Sequence, residues 1–147
     1  MPWQPTNLNN INSTGIELSA DFRFDQILGK DSYLKRFYIG YHMINATLEI
    51  EDNVLSRYAL EHLNNQLSVA VEHRIYKNLY NSMKFRFVDR VTMDNYSVFD
   101  AKVFWKTKTS TFFVEGTNLF DAEYRETNLV TMPGRWVRAG FTFDFGF

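Results

Sequence analysis

The sequence predicts an all-β fold, an antiparallel meander of about seven long amphipathic strands. Apolar and polar residues alternate with a period of two in seven segments, which is typical of strands with one apolar face. The connections between these segments vary in length in a regular way. The last segment alternates up to an aromatic residue, Phe147. A helical interpretation fails because it would place charged side chains on every face.

The seven segments follow one another along the chain, and in each of them polar or charged residues separate the apolar ones. The apolar sets run, in order, through Ile16–Phe24, Phe37–Met43, Leu67–Ile75, Met83–Val91, Phe99–Trp105, Phe112–Gly116 and Val137–Phe147. The charged residues between them are Glu17, Asp21, Arg23, Glu72, Arg74, Lys84, Arg86, Arg90, Asp100, Lys102, Lys106, Glu115, Arg138 and Asp144. Each segment is long enough to cross a bilayer when it is tilted.

Alternation alone leaves the direction of the apolar face open. A soluble sandwich or lipocalin-like barrel turns that face inward against a core. An outer-membrane barrel turns it outward to lipid, around a wet lumen. Connection lengths favour the membrane, because such barrels have short turns at one end and longer loops at the other. The short connections are Tyr76–Tyr80 and Lys106–Ser110, the long ones Thr47–Asn64 and Leu119–Gly134, with Thr92–Asn95 intermediate and Asp25–Ser32 an exception.

Composition excludes several classes of protein. The 147 residues suffice for one domain, and 16 basic against 17 acidic residues give no basic excess for nucleic acid. The absence of cysteine excludes a disulfide framework and thiol chemistry. The chain has neither a secretory signal nor a run near the ~20 apolar residues of a membrane helix. A membrane location therefore requires a barrel or a piece of one, from a processed or truncated chain.

The carboxyl-terminal residues resemble those of known outer-membrane proteins. Gly140, Phe143, Phe145 and Phe147 resemble the signal read by the barrel assembly machinery. The segment Val114–Tyr124, with Asn118-Leu119-Phe120-Asp121 inside it, and the Pro133-Gly134-Arg135 opening of the final segment resemble the end of a TonB-dependent outer-membrane receptor. The resemblance is closest to the vitamin B12 type of Bacteroidetes, through Ser56-Arg57-Tyr58, His73-Arg74, Asp89-Arg90 and Asp100-Ala101.

The resemblance implies that residues 1–147 are the C-terminal part of a receptor barrel in the outer membrane of a Gram-negative cell. Such receptors join a plug to a barrel of about 22 strands, so this chain is expected to be roughly a third of one. The implied function is TonB-energised uptake of a scarce large nutrient such as a corrinoid, haem or iron chelate, with no enzymatic step and no cofactor. The implied partners are outer-membrane lipid, the remaining strands and plug, TonB, the barrel assembly machinery and a surface lipoprotein.

Candidate ligand contacts lie on the two long connections, because loops on a rigid wall commonly bind ligands. Their polar and aromatic residues are Arg57, Tyr58, Tyr124, Arg125 and Asn128. Tyr124 also belongs to the receptor-like motif, where bracing the loop is the alternative role. The sequence predicts no metal site, because its three histidines are widely scattered. Two other functions stay open: an autonomous small outer-membrane barrel with a structural or adhesive role, and a soluble ligand-binding β-protein.

Overall fold

The computed structural model describes residues 10–49, 63–91, 93–127 and 130–145. In chain order the elements are β1 (Asn10–Arg23), the one-turn helix α1 (Phe24–Ile27), β2 (Leu34–Glu49), β3 (Leu63–Tyr76), β4 (Leu79–Arg90), β5 (Met93–Lys106), β6 (Ser110–Thr117), β7 (Arg125–Thr127), β8 (Val130–Thr131) and β9 (Trp136–Phe143). Within the described ranges, no helix has the length and apolar character that would let it cross a membrane.

The seven long strands form one sheet in the order β1-β2-β3-β4-β5-β6-β9, and every neighbouring pair is antiparallel. The predicted all-β meander of seven strands is therefore confirmed. The short strands β7 and β8 form a separate hairpin inside the connection between β6 and β9. Neither this hairpin nor α1 is predicted by the alternation pattern, which registers only elements several residues long.

The hydrogen-bond register aligns the apolar sets of all seven strands on one side, here called the apolar face. Phe22 lies opposite Phe37, which lies opposite Val71, and Val71 lies opposite Met83. Farther along the sheet, Val103 lies opposite Val114, which lies opposite Ala139. A slip of one residue at any pair would reverse the faces of the next strand. The register therefore separates two surfaces of opposite chemistry across the whole sheet.

On the other side, here called the charged face, cross-strand neighbours carry opposite charges. Lys84 lies opposite Asp100, Lys102 opposite Glu115, and Glu115 opposite Arg138. The sheet curls around this face, because residues from six strands, β2 to β6 and β9, line one hollow of about 550 Å³. The charged face is thus the inner surface of the curl.

Burial is inverted with respect to a soluble β-protein. The buried apolar side chains among the described residues are Val88, Tyr96, Val98 and Phe104. All four lie on the charged face, since Val88 pairs with Tyr96, Val98 with Arg86, and Phe104 with Tyr80. On the apolar face, by contrast, Leu18 is 64% exposed and Val137 is 67% exposed. No second layer of described structure packs on the apolar face.

One predicted connection is wrong. Residues 92–95 were expected to form an intermediate link, but β4 ends at Arg90 and β5 begins at Met93. The ladder continues this far because Val88 and Tyr96 pack together on the charged face and Arg90 pairs with Met93. The expected contrast between short and long connections therefore fails at this end of the sheet. β9 also ends earlier than expected, at Phe143.

Candidate functional site

The hollow inside the curl is the candidate site, and ion pairs between neighbouring strands organise its charges. Arg36 donates two hydrogen bonds of 2.8 Å to the carboxylate of Asp21, which lies diagonally across from it on β1. Arg138 donates from Nε and Nη2 to Oε2 of Glu115 at 2.9 and 2.7 Å. Charge-assisted hydrogen bonds of this kind are shorter and stronger than those between neutral groups. The wall is thus a mixed-charge surface whose arginines are largely neutralised by partners.

The connection between β6 and β9 folds inward across one end of the charged face. The ring of Tyr124 stacks on the ring of Tyr96, with 4.5 Å between centroids. Beyond it, Glu126 pairs with Arg86 of β4 at 3.0 Å. A second hollow of about 410 Å³ lies between this connection and the sheet. The connection therefore narrows one mouth of the curl.

Asn118 holds the start of this connection in place. It is buried, and its φ of 49° lies in the left-handed region that asparagine tolerates better than most residues. Its Nδ2 donates to the carbonyl oxygens of Ala122 and Pro133, and its Oδ1 accepts from the Ala122 amide. Its own amide donates to Asp100 Oδ1 at 2.8 Å. These bonds tie both arms of the connection to β5.

A second lock joins Asp121 to the opening of β9. Asp121 Oδ1 accepts a 2.7 Å hydrogen bond from the Arg135 amide. A Cβ on Gly134 would lie only 2.6 Å from the same oxygen, so a glycine is needed for this approach. The receptor-like residues Asn118, Asp121 and Gly134 thus form one bracing unit. Their positions explain the motif as a structural one.

The structure describes two of the five predicted ligand residues, Tyr124 and Arg125. Tyr124 is half-buried against the ring of Tyr96, a contact that a bracing role would need, and Arg125 beside it is exposed at the start of β7. Arg125 and Tyr124 both line a further hollow of about 760 Å³ with Met93 and Glu123. Arg57, Tyr58 and Asn128 lie outside the described residues. Ligand binding by the five residues stays a prediction.

The predicted assembly residues occupy both faces of the end of the sheet. Phe143 and Phe145 project on the apolar face, with ring centroids 6.3 Å apart. Gly140 lies on the charged face, and a Cβ there would meet the Phe113 ring at 2.8 Å. Its small size therefore has a packing reason of its own. Phe147 lies outside the described residues, and the assembly role of the set stays a prediction.

Sequence reasoning missed the contribution of Val88, Tyr96 and Val98 to the site. These residues form the buried cluster beneath the inward-folded connection, together with Tyr124 and Leu63. A signal was present, because Val88 interrupts the charged side of its strand after Lys84 and Arg86. An apolar residue on a polar face indicates that another part of the chain covers it. Which part does so depends on long-range contacts that the local pattern does not contain.

Comparison with protein-family models, with curated proteins and with solved structures found no match for this chain. Within the ranges that the structure describes, no three His, Asp or Glu side chains are grouped so that they could hold a metal ion. Function is therefore inferred from the two faces of the sheet and from the wall of the hollow.

Proposed function

We propose that these strands form part of the wall of a TonB-dependent outer-membrane receptor, which takes up a scarce large nutrient such as a corrinoid, haem or iron chelate. The observation on which this proposal rests is the inversion of the faces. Large apolar side chains are exposed on the apolar face, while charges line the hollow. A wet-lumen barrel in lipid requires this arrangement.

The distribution of aromatic rings supports a lipid location for the apolar face. Rings cluster at one end of this face, near the turns that follow β1 and β5. Phe22 contacts Phe24 and Phe37, and a chain of contacts runs through Trp105, Phe112, Phe141, Phe143 and Phe145. Outer-membrane barrels have bands of aromatic residues at both membrane interfaces. The rings of this cluster are phenylalanines except for Trp105, whose indole N–H is the polar group that can face the interface.

The two open edges of the sheet support the proposal that further strands complete the wall. β1 and β9 are the outermost strands in the described order. An unpaired edge in lipid leaves backbone groups without partners, each at a cost of several kcal/mol. The plug, the energy coupling through TonB and the nutrient class follow from the motif resemblance. In this proposal the wall binds and guides its cargo, and it performs no covalent chemistry.

The test is to locate the protein in its source cells with an antibody raised against residues 10–49. We expect an outer-membrane band several times larger than 17.4 kDa, because the wall needs additional strands and a plug. We expect the unboiled sample to migrate differently from the boiled one, since closed barrels resist SDS until heated.

Two outcomes would overturn the proposal. A band near 17.4 kDa in the outer membrane, with heat-dependent migration, would indicate an autonomous small barrel. A band in the soluble fraction would mean that the apolar face is covered by protein rather than lipid.

A further inference from the structure

A row of aromatic rings crosses the charged face, where a wet wall would be expected to bear polar side chains. Tyr80 of β4, Phe104 of β5 and Phe113 of β6 lie directly opposite one another in the register. The Tyr80 and Phe104 rings stack at 5.3 Å with 12° between their planes. Phe113 then lies over Gly140 of β9. The three rings therefore lie on three neighbouring strands, and the third ring covers the glycine of a fourth.

Two lysines bracket this row along β5. Lys102 Nζ lies 4.3 Å from the Phe113 centroid and 5.9 Å from the Phe104 centroid. Lys106 Nζ lies 5.3 Å from the Phe104 centroid and 5.6 Å from the Tyr80 centroid. Both ammonium groups are thus held over ring faces, an arrangement that is attractive because the ring face is electron-rich. We call the five residues Tyr80, Lys102, Phe104, Lys106 and Phe113 the lysine–aromatic seat.

The ammonium groups of the seat have no carboxylate within ion-pair distance among the described residues. Glu115 lies opposite Lys102, but its carboxylate is bound by Arg138 instead. Asp100 accepts the Asn118 amide. Within the described residues, the two ammonium groups are therefore not engaged in direct ion pairs.

The surrounding hollow has an excess of positive charge. Its lining contains five basic residues against three acidic ones, namely Arg36, Lys84, Lys102, Lys106 and Arg138 against Glu72, Asp100 and Glu115. The two arginines already have carboxylate partners, Asp21 and Glu115. This leaves three lysines against Glu72 and Asp100, an excess of one positive charge that favours an anionic partner for this surface.

The shape of the surface favours a polypeptide over a small solute. Small-molecule sites enclose most of their ligand, whereas this seat lies on a wall that is open along one side. An extended segment can place carboxylates beside the two ammonium groups and apolar atoms on the rings between them. We propose that the lysine–aromatic seat docks an acidic polypeptide segment inside the curl of the sheet. This proposal does not depend on the membrane location, because the same surface exists in either environment.

The test uses site-directed photo-crosslinking in the protein as its source cells make it. Thr111→p-benzoylphenylalanine places the crosslinker beside the seat, because Thr111 lines the hollow and lies opposite Lys106. We expect ultraviolet light to join this position to a segment that mass spectrometry maps as rich in Asp and Glu. Val114→p-benzoylphenylalanine, on the apolar face, should not capture this segment.

Lysine variants then separate docking from simple proximity. The Lys102→Gln/Lys106→Gln double variant should lower the crosslink yield at least about fivefold, since two exposed ion pairs are lost. Lys102→Arg/Lys106→Arg should retain the yield. The matched control is Lys108→Gln, which removes the same charge in the exposed turn between β5 and β6, outside the hollow. In the unaltered lysine background, 0.5 M salt should weaken the crosslink by screening.

Several results would overturn the proposal. These are a crosslink of equal yield in the double glutamine variant, a captured segment without acidic residues, a lipid adduct, or no capture at Thr111. If the double variant fails to accumulate, the salt dependence and the mapped segment decide the outcome, because both are measured with the lysines in place.

Discussion

Val114 lies on the apolar face, opposite Val103 of β5 and Ala139 of β9, and it is 54% exposed. Its environment decides the cost of a charge there. Exposure to water would make a polar replacement nearly neutral, whereas exposure to lipid would make it expensive. A single residue on this face can therefore report which solvent it contacts.

We predict that Val114→Arg lowers the free energy of unfolding from lipid vesicles by about 1–3 kcal/mol, because a basic side chain costs about 2–4 kcal/mol at the bilayer midplane and less towards the interface. The matched control is Thr142→Arg, an exposed position on the charged face of the next strand. It should change the free energy by less than about 0.5 kcal/mol, as is usual for surface substitutions. Equal effects at the two positions would argue against lipid at the apolar face.

At the scale of elements, side-chain contacts hold the connection between β6 and β9 against the sheet. Asn118 satisfies three backbone groups of the connection with its side chain, and Tyr124 and Glu126 contact β5 and β4. The inward fold of this segment is therefore set by a buried asparagine and two contacts beyond it.

We predict that Asn118→Ala destabilises the protein by about 2–3 kcal/mol, because buried backbone groups lose partners and alanine disfavours a positive φ. The released connection should be cleaved faster by trypsin after Arg125 and Arg135. Asn95→Ala is the matched control, since Asn95 is exposed at the start of β5. If cleavage rates match those of the parent protein, the side chain of Asn118 does not hold the connection.

At the scale of the whole molecule, the number of strands in the sheet limits how the sheet can close. Neighbours in an antiparallel sheet alternate in direction, so the first and seventh strands, β1 and β9, point the same way. They cannot pair with each other antiparallel. Completing an antiparallel barrel therefore requires an odd number of additional strands between these edges.

Cysteine pairs test this constraint, and the chain contributes no native thiol. We predict that Ala139→Cys forms no disulfide with Ile16→Cys, Leu18→Cys or Phe22→Cys under mild oxidation, because the proposed barrel places additional strands between β1 and β9. Val114→Cys with Ala139→Cys is the positive control, since these residues are directly opposite. An intramolecular disulfide between β1 and β9 would instead indicate that the seven strands close on themselves.

The seven strands and the membership of each face follow from local alternation. A strand places successive side chains on opposite sides whatever its neighbours are, so the alternation by itself assigns Phe85 and Lys84 to opposite faces. The bracing residues Asn118, Asp121 and Gly134 were also recognised as a motif, although the hydrogen bonds that explain them join positions far apart in the chain.

Tertiary contacts set the features that a period of two cannot encode. The row of Tyr80, Phe104 and Phe113 exists because two registers coincide across three neighbouring strands. The packing of Tyr124 on Tyr96 and the extension of β5 to Met93 likewise depend on partners distant in the chain. Alternation assigns a side chain to a face, whereas cross-strand register and chain folding determine which side chains meet on it.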